Sequence, residues 1–197
     1  SVAPPLVRTR GQRSIDPPRF DLWPEALRSA EMLRGSLVAC GPGVRGVGWP
    51  ETPRVRATAL APWLARGYVA THLTAAWVWG AADRPEVHYD DRSLRMPTKG
   101  PQFEWLRVYE LRYTEADTIQ FGECGVTLPL RTVLDLMYAE SEFTRTEQVA
   151  CRLLLGMSEG GHAAVAAHVH ERRRPGRRRA LARLSSLSLP VTATGTH

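Results

Sequence analysis

The stretch 68–139 constrains the fold more than any other part of the chain, because helical and strand-like periods alternate in it over short spans. Tyr68-Val-Ala70 is an apolar strand candidate. Thr71 stands where it can cap a helix over Leu73–Trp79, and Gly80 can end that helix. Leu73 and Trp77 are four apart, so they share a face and are expected in the core. Strand-like runs follow at Glu86–Tyr89 and Leu106–Tyr113, the second with no clearly dry face. Thr114–Asp117 reads as a capped turn. Thr118–Phe121 and Val126–Leu128, around the glycine-bearing loop Gly122–Gly125, read as a hairpin. Pro129 closes it, and Leu130, Val133, Leu134 and Met137 then recur at helical spacing. This order predicts an α+β fold.

The flanks are simpler. Residues 1–20 carry four prolines and four arginines and read as an extended arm. Pro24 can open a helix over Glu25–Arg34 that Gly35 stops. Ser36–Cys40, the turn Gly41-Pro-Gly43 and Val44–Trp49 form a hairpin candidate. A helix followed by a hairpin is the tail of a winged helix, so residues 1–52 read as an arm plus a degenerate winged-helix segment. A helix over Arg54–Arg66, kinked near Pro62, begins the remainder, residues 53–197. Three helices end the chain. One is Val149–Leu155 behind the capping box Thr144-Arg-Thr-Glu147, one is Ala163–Arg173, and one is Arg177–Leu187.

The chain has 197 residues and a net charge of +6. Residues Glu171–Arg183 contain seven arginines and one glutamate, so the rest of the chain sums to zero. The basic cluster Arg172, Arg173, Arg174, Arg177, Arg178 and Arg179 is therefore local. It reads as a contact for a polyanion or an acidic partner surface, or else as a solvated helix end. If it held six DNA phosphates, affinity would fall about 10³-fold over a fourfold rise in salt. The longest apolar run, near Ala75–Ala82, is far short of the ~20 residues that span a bilayer, so no membrane partner is expected and the cytoplasm is the default location. Cys40, Cys124 and Cys151 are odd in number and widely spaced, and read as buried thiols. His162, His168 and His170 lack metal-ligand spacing, and no metal is expected.

Phosphoryl-transfer motifs are missing from the sequence. There is no G-x-G-x-x-G and no P-loop, and Lys99 is the single lysine. Gly41-Pro-Gly-Val-Arg-Gly46 has the wrong spacing, and nothing groups Asp83, Asp90, Asp91, Asp117 and Asp135 as Mg²⁺ ligands. Arg131 and Asp135, four apart on one helix, can form an intrahelical ion pair worth about 0.3 kcal/mol.

Three elements in order carry a family resemblance: Thr71-His-Leu-Thr-Ala-Ala and the helix to Gly80, the pair Val87-His88, and the hairpin leading into Arg131-Thr132 with Asp135-Leu136. Together, over roughly residues 35–155, they resemble the antitoxin domain of the AbiEi family, from bacterial abortive-infection toxin–antitoxin pairs. The resemblance implies that Thr71, His72, Arg131, Thr132 and Asp135 are the motif positions. It also implies a cognate nucleotidyltransferase-like toxin as partner, neutralised by direct binding. Typical members join a winged helix that binds the operon's own promoter, so operator DNA and autorepression form one alternative. Members similar to this chain have been credited with phosphorylating a toxin serine, so an atypical protein kinase using ATP and Mg is another. No cofactor is expected otherwise. Within this frame Arg131 and Asp135 are expected to tie the helix to a neighbouring strand. The arginine cluster would reach either the acidic centre of the toxin or DNA. Trp77, Trp79, Trp105 and Tyr109 would serve as anchors wherever they are exposed.

Overall fold

The structure is a computed structural model that describes residues 16–64, 68–86, 113–158, 160–171 and 174–188. It is α+β. Helix α1 (Glu25–Leu33) leads into the hairpin β1 (Leu37–Cys40) and β2 (Gly43–Gly46). Helix α2 (Pro53–Leu60), β3 (Val69–Ala70) and α3 (His72–Val78) follow, then the hairpin β4 (Thr118–Phe121) and β5 (Cys124–Thr127). Four helices complete the chain: α4 (Pro129–Tyr138), α5 (Arg145–Gly156), α6 (Gly161–Glu171) and α7 (Arg177–Ser188).

Local signals set most boundaries. Thr52 accepts from the Val55 amide at 3.3 Å, and Pro53 opens α2 at its first position. The helix gives way at Leu60 to a 3-10 turn, Ala61–Trp63, since Pro62 has no N–H to continue the ladder. The capping box before α5 forms in both directions. The Glu147 amide donates to the Thr144 hydroxyl at 3.3 Å, and the Thr144 amide donates to the Glu147 carboxylate at 2.6 Å. The turn at Thr114–Asp117 closes as a capping box as well. The strand-like runs at 87–89 and 106–112 lie outside the described residues.

Strand β5 is the centre of a three-stranded sheet in the order β3-β5-β4. It pairs parallel with β3, Ala70 opposite Val126, and antiparallel with β4, Ile119 opposite Val126. All four β5 residues are buried. Helix α3 sits between two apolar clusters. Its Ala75, Trp77 and Val78 join Cys40, Val55, Leu60, Cys124 and Val126. Its Ala76 joins Val133, Leu136, Met137, Leu154, Val165, Val169 and Leu184 from α4–α7, with Leu73 packed on that second cluster. Leu73 and Trp77 thus both serve the core, each in a different cluster.

The N-terminal hairpin packs directly on this body. Gly43 lies so close to α2 that a β-carbon there would stand 2.4 Å from the Ala59 carbonyl oxygen. Gly41 has φ +56°, and a β-carbon would meet the Trp77 ring at 2.5 Å. The glycines of the Gly41–Gly46 run therefore serve close packing. Two ion pairs fasten the incoming arm: Arg54 with Asp16 at 2.5 Å, and Arg19 with Glu123 at 2.8 Å in the β4–β5 turn.

All three cysteines are free and buried, as the sequence suggests. Burial pushes the thiols of Cys40 and Cys124 up to about 11 and about 12, and raises Cys151 further. Among the described residues no helix is long and apolar enough to cross a membrane.

Candidate functional site

The motif positions, 60 residues apart in the chain, meet on the seam between α3 and α4. Thr71 and His72 stand at the start of α3, where β3 ends. Arg131, Thr132 and Asp135 lie on α4, whose first turn follows β5. Because β3 and β5 are hydrogen-bonded neighbours, the helix that leaves each strand starts at the same edge of the sheet.

Asp135 is buried, its side chain 5% exposed. Its Oδ1 accepts from Arg131 Nε at 2.9 Å. Its Oδ2 is buried and has no hydrogen-bond partner among the described residues. Burial pushes the Asp135 carboxyl up to about 6, against the pull of Arg131 and, more weakly, Arg174. Arg131 has a second carboxylate, Asp117, at 3.2 Å, and its guanidinium stands 4.6 Å from the Tyr113 ring centroid. Burial works against its charge, but the two carboxylates more than offset this and hold the guanidinium protonated. Asp117 also accepts from the Thr114 amide at 2.8 Å, which with Arg131 keeps it below the usual carboxylate range despite partial burial. Arg131 thus ties α4 to Asp117, in the 3-10 turn just before β4.

Tyr113 completes the constellation. Its buried hydroxyl lies close enough to Asp135 and Thr71 to feel both, without reaching hydrogen-bond geometry with either. Burial first, then the Asp135 charge, raises the phenol well above its ordinary range. No spacing pattern marks Tyr113, since it is the last residue of a strand-like run. Its alternating partner residues gave it no more weight than Tyr109.

Thr71 does not cap α3 with its side chain. It occupies the cap position, but its hydroxyl pairs with His72 Nδ1 at 2.8 Å instead of a helix amide. His72 then starts α3 at φ +49°, the left-handed region, with 4% of its surface exposed. A non-glycine residue there costs on the order of 1–2 kcal/mol, and such strain concentrates at functional positions. Thr132 is structural. Its hydroxyl faces Thr127 Oγ1 at 2.7 Å and donates to the Leu128 carbonyl at 3.0 Å, which locks α4 to the end of β5.

The arginine cluster has a different setting. Arg177 donates to the Val169 and His170 carbonyls at 3.0 and 3.1 Å, which closes the last turn of α6. Arg179 donates to the Tyr138 carbonyl at the end of α4 at 3.1 Å, and Arg174 stands 4.3 Å from the Tyr138 ring centroid. Arg183 is buried, donates to Leu136 at 2.7 Å and to Ser141, and faces the Phe143 ring at 5.0 Å. Cations at helix C-termini satisfy carbonyls that have no partner in the helix and oppose the negative end of the dipole. Arg178 is exposed, and the side chains of Arg172 and Arg173 lie outside the described residues.

Two of the proposed anchors also differ from expectation. Trp77 is 2% exposed and belongs to the core. Trp79 is half-buried and donates its indole N–H to the Thr127 carbonyl at 2.8 Å. Trp105 and Tyr109 lie outside the described residues. Trp79 and Phe121, 5.8 Å apart edge to face, form one wall of an apolar groove of about 430 Å³. Trp49, Pro50, Pro53 and Pro17 line it too, with Thr52, Val55 and the Arg54 side chain. Among the described residues no three His, Cys, Asp or Glu side chains group as metal ligands. Compared with known proteins, the chain matches no family model, no curated protein and no solved structure.

Proposed function

We propose that this chain is an antitoxin that neutralises a cognate nucleotidyltransferase-like toxin by binding it. The observation that carries the reading is the convergence of the motif positions. Thr71, His72, Arg131 and Asp135 lie far apart in sequence and gather with Tyr113 and Asp117 in one half-buried polar knot. That knot includes a strained histidine and a carboxylate oxygen with no hydrogen-bond partner among the described residues. A fold selected only for packing would place apolar side chains there, since a buried ion pair is seldom more stabilising than a hydrophobic substitute. The groove between Trp49, Trp79 and Phe121 supports the same reading, because flat aromatic walls suit an interface anchor.

The test begins with the reading frame next to this one. Its product, co-expressed with the chain, is expected to copurify in a fixed ratio and to lose its toxicity to growth. A neighbour unrelated to nucleotidyltransferases, or a toxin that stays toxic when the chain is present, overturns the proposal.

A further inference from the structure

Arginines at the two ends of the chain are balanced differently. Arg19, Arg34, Arg45, Arg54, Arg56 and Arg131 each form an ion pair with a carboxylate. Arg174, Arg177, Arg178, Arg179 and Arg183 form none among the described residues. Asp135 feels Arg174 less than Arg131, which already holds it. Glu171, the one acid between 171 and 183, is exposed and makes no ion pair among the described residues.

Three of these arginines stand where helix electrostatics oppose them. Arg177, Arg178 and Arg179 make the first turn of α7, the positive end of its dipole, and that turn holds no acidic residue. Gly176, at φ +81°, brings the turn against Tyr138, whose ring Arg174 also covers. Four arginines are thus gathered within the six residues 174–179. Carbonyl hydrogen bonds fix Arg177 and Arg179 in place but leave their charge uncancelled, while Arg174 and Arg178 are exposed. Like charges crowded in this way repel one another, and an anion arriving from outside relieves the repulsion.

The surroundings select the kind of anion. Among the described residues, the exposed large apolar side chains lie in the N-terminal segment, at Tyr68 and Ile119, and on α5, with none on α6 or α7. A protein partner would find no apolar anchor there. Nucleic-acid interfaces are instead polar and strongly basic, and a duplex carries one charge per about 1.7 Å of its axis, dense enough to meet all four arginines. We propose that the start of α7 binds nucleic acid through its phosphate backbone. Arg174 and Arg178 make the outer contacts, and Arg177 and Arg179 are fixed charges behind them. Phosphate contacts carry no sequence information, so binding is indifferent to base sequence. This activity does not depend on the toxin.

Fluorescence anisotropy of the full chain with two labelled duplexes of equal length and unrelated sequence tests it. Both are expected to bind alike. With four phosphates neutralised, affinity is expected to fall about 150-fold between about 50 and about 200 mM salt. The double variant Arg174→Ala with Arg178→Ala is expected to bind about tenfold more weakly and to lose about half of the salt slope, while keeping the wild-type circular dichroism spectrum and melting temperature. Lysine at both positions is expected to retain binding, since a point charge suffices for a phosphate. A charge-matched control, Arg34→Ala with Arg84→Ala, removes two exposed arginines elsewhere and is expected to bind as wild type does. A wild-type chain that binds neither duplex at low salt, a marked preference for one sequence, tighter binding to poly-glutamate than to DNA, or a control weakened as much as the Arg174 and Arg178 variant overturns the proposal.

Discussion

Helices α4–α7 and the N-terminal segment from Phe20 to Trp63 finish their surfaces in different ways. In the C-terminal helices, arginines close the helix ends. Arg177, Arg179 and Arg183 reach carbonyls of α6, of α4 and just beyond it, and Arg152 reaches the Ser186 carbonyl of α7 at 3.2 Å. Each of those contacts joins one helix to another or to the segment after it. In the N-terminal segment Cys40, Val55, Ala57 and Leu60 join the core, glycines let the hairpin approach α2 closely, and a few ion pairs fasten the rim. Leu22, Trp23, Leu27, Met32, Leu33 and Val47 stay exposed there. The C-terminal helices join their polar termini to one another, although Val149, Leu153 and Met157 stay exposed along α5, whereas the N-terminal segment leaves a larger set of apolar side chains exposed among the described residues.

The contrast can be broken most sharply at Arg183. Replacing it by Ala leaves the Leu136 and Ser141 carbonyls without their donor and opens a void beside Phe143. A loss of about 3 kcal/mol is expected, read as a lowered midpoint in urea unfolding. A change below about 1 kcal/mol would mean that the carbonyl contacts do not hold the helices together.

Next in size is Gly43→Ala, which tests the other region's way of packing. The added carbon cannot coexist with the Ala59 carbonyl oxygen at 2.4 Å, so hairpin and α2 must separate. About 2 kcal/mol is expected to be lost, and near-ultraviolet dichroism is expected to change through the Trp77 and Trp63 environments. An unaltered stability would show that the hairpin rests on α2 only loosely.

Asp135 sharpens the comparison through pH. Its folded value of about 6 lies above the ordinary value of 3.8. The protonated form is therefore the one the fold prefers. The contribution is fully present below pH 3.8 and is lost as pH rises through about 6. From this group alone, stability is expected to fall by on the order of 2 kcal/mol between pH 4 and pH 7. Asp135→Asn removes that dependence, so the difference between variant and wild type should change across the same window. Parallel curves would contradict the burial of an ionisable group at this place.

The smallest effect belongs to Leu33. Leu33→Ser is expected to change unfolding free energy by less than about 0.5 kcal/mol, although it removes a large apolar side chain, because Leu33 is 91% exposed. The same change at a position buried among α4–α7, such as Leu136, would cost several times more.

What could be read in advance follows from the range of each interaction. The box at Thr144 and Glu147, Pro53 and Pro129 at the starts of helices, and the Gly122 turn act within four residues. Their effects were legible from neighbours alone. The roles of Arg179 and Arg183 were not, since their acceptors lie 41 and 47 positions away. An arginine that closes a distant helix has the same local sequence as one that faces solvent, so a charge count saw only a basic patch. The gathering point of Thr71, His72, Arg131 and Asp135 is not legible in the sequence, because the β3–β5 pairing that brings them together is two residues long. Tyr113 was missed for the same reason, and Thr71 was given the ordinary capping role that His72 displaces.

The proposed neutralisation by contact is separated from phosphorylation by the intact mass of the purified companion protein after incubation with this chain, ATP and Mg²⁺. An unchanged mass and a complex that survives gel filtration are expected. A companion heavier by one phosphate, in a reaction that needs this chain, would contradict neutralisation by contact.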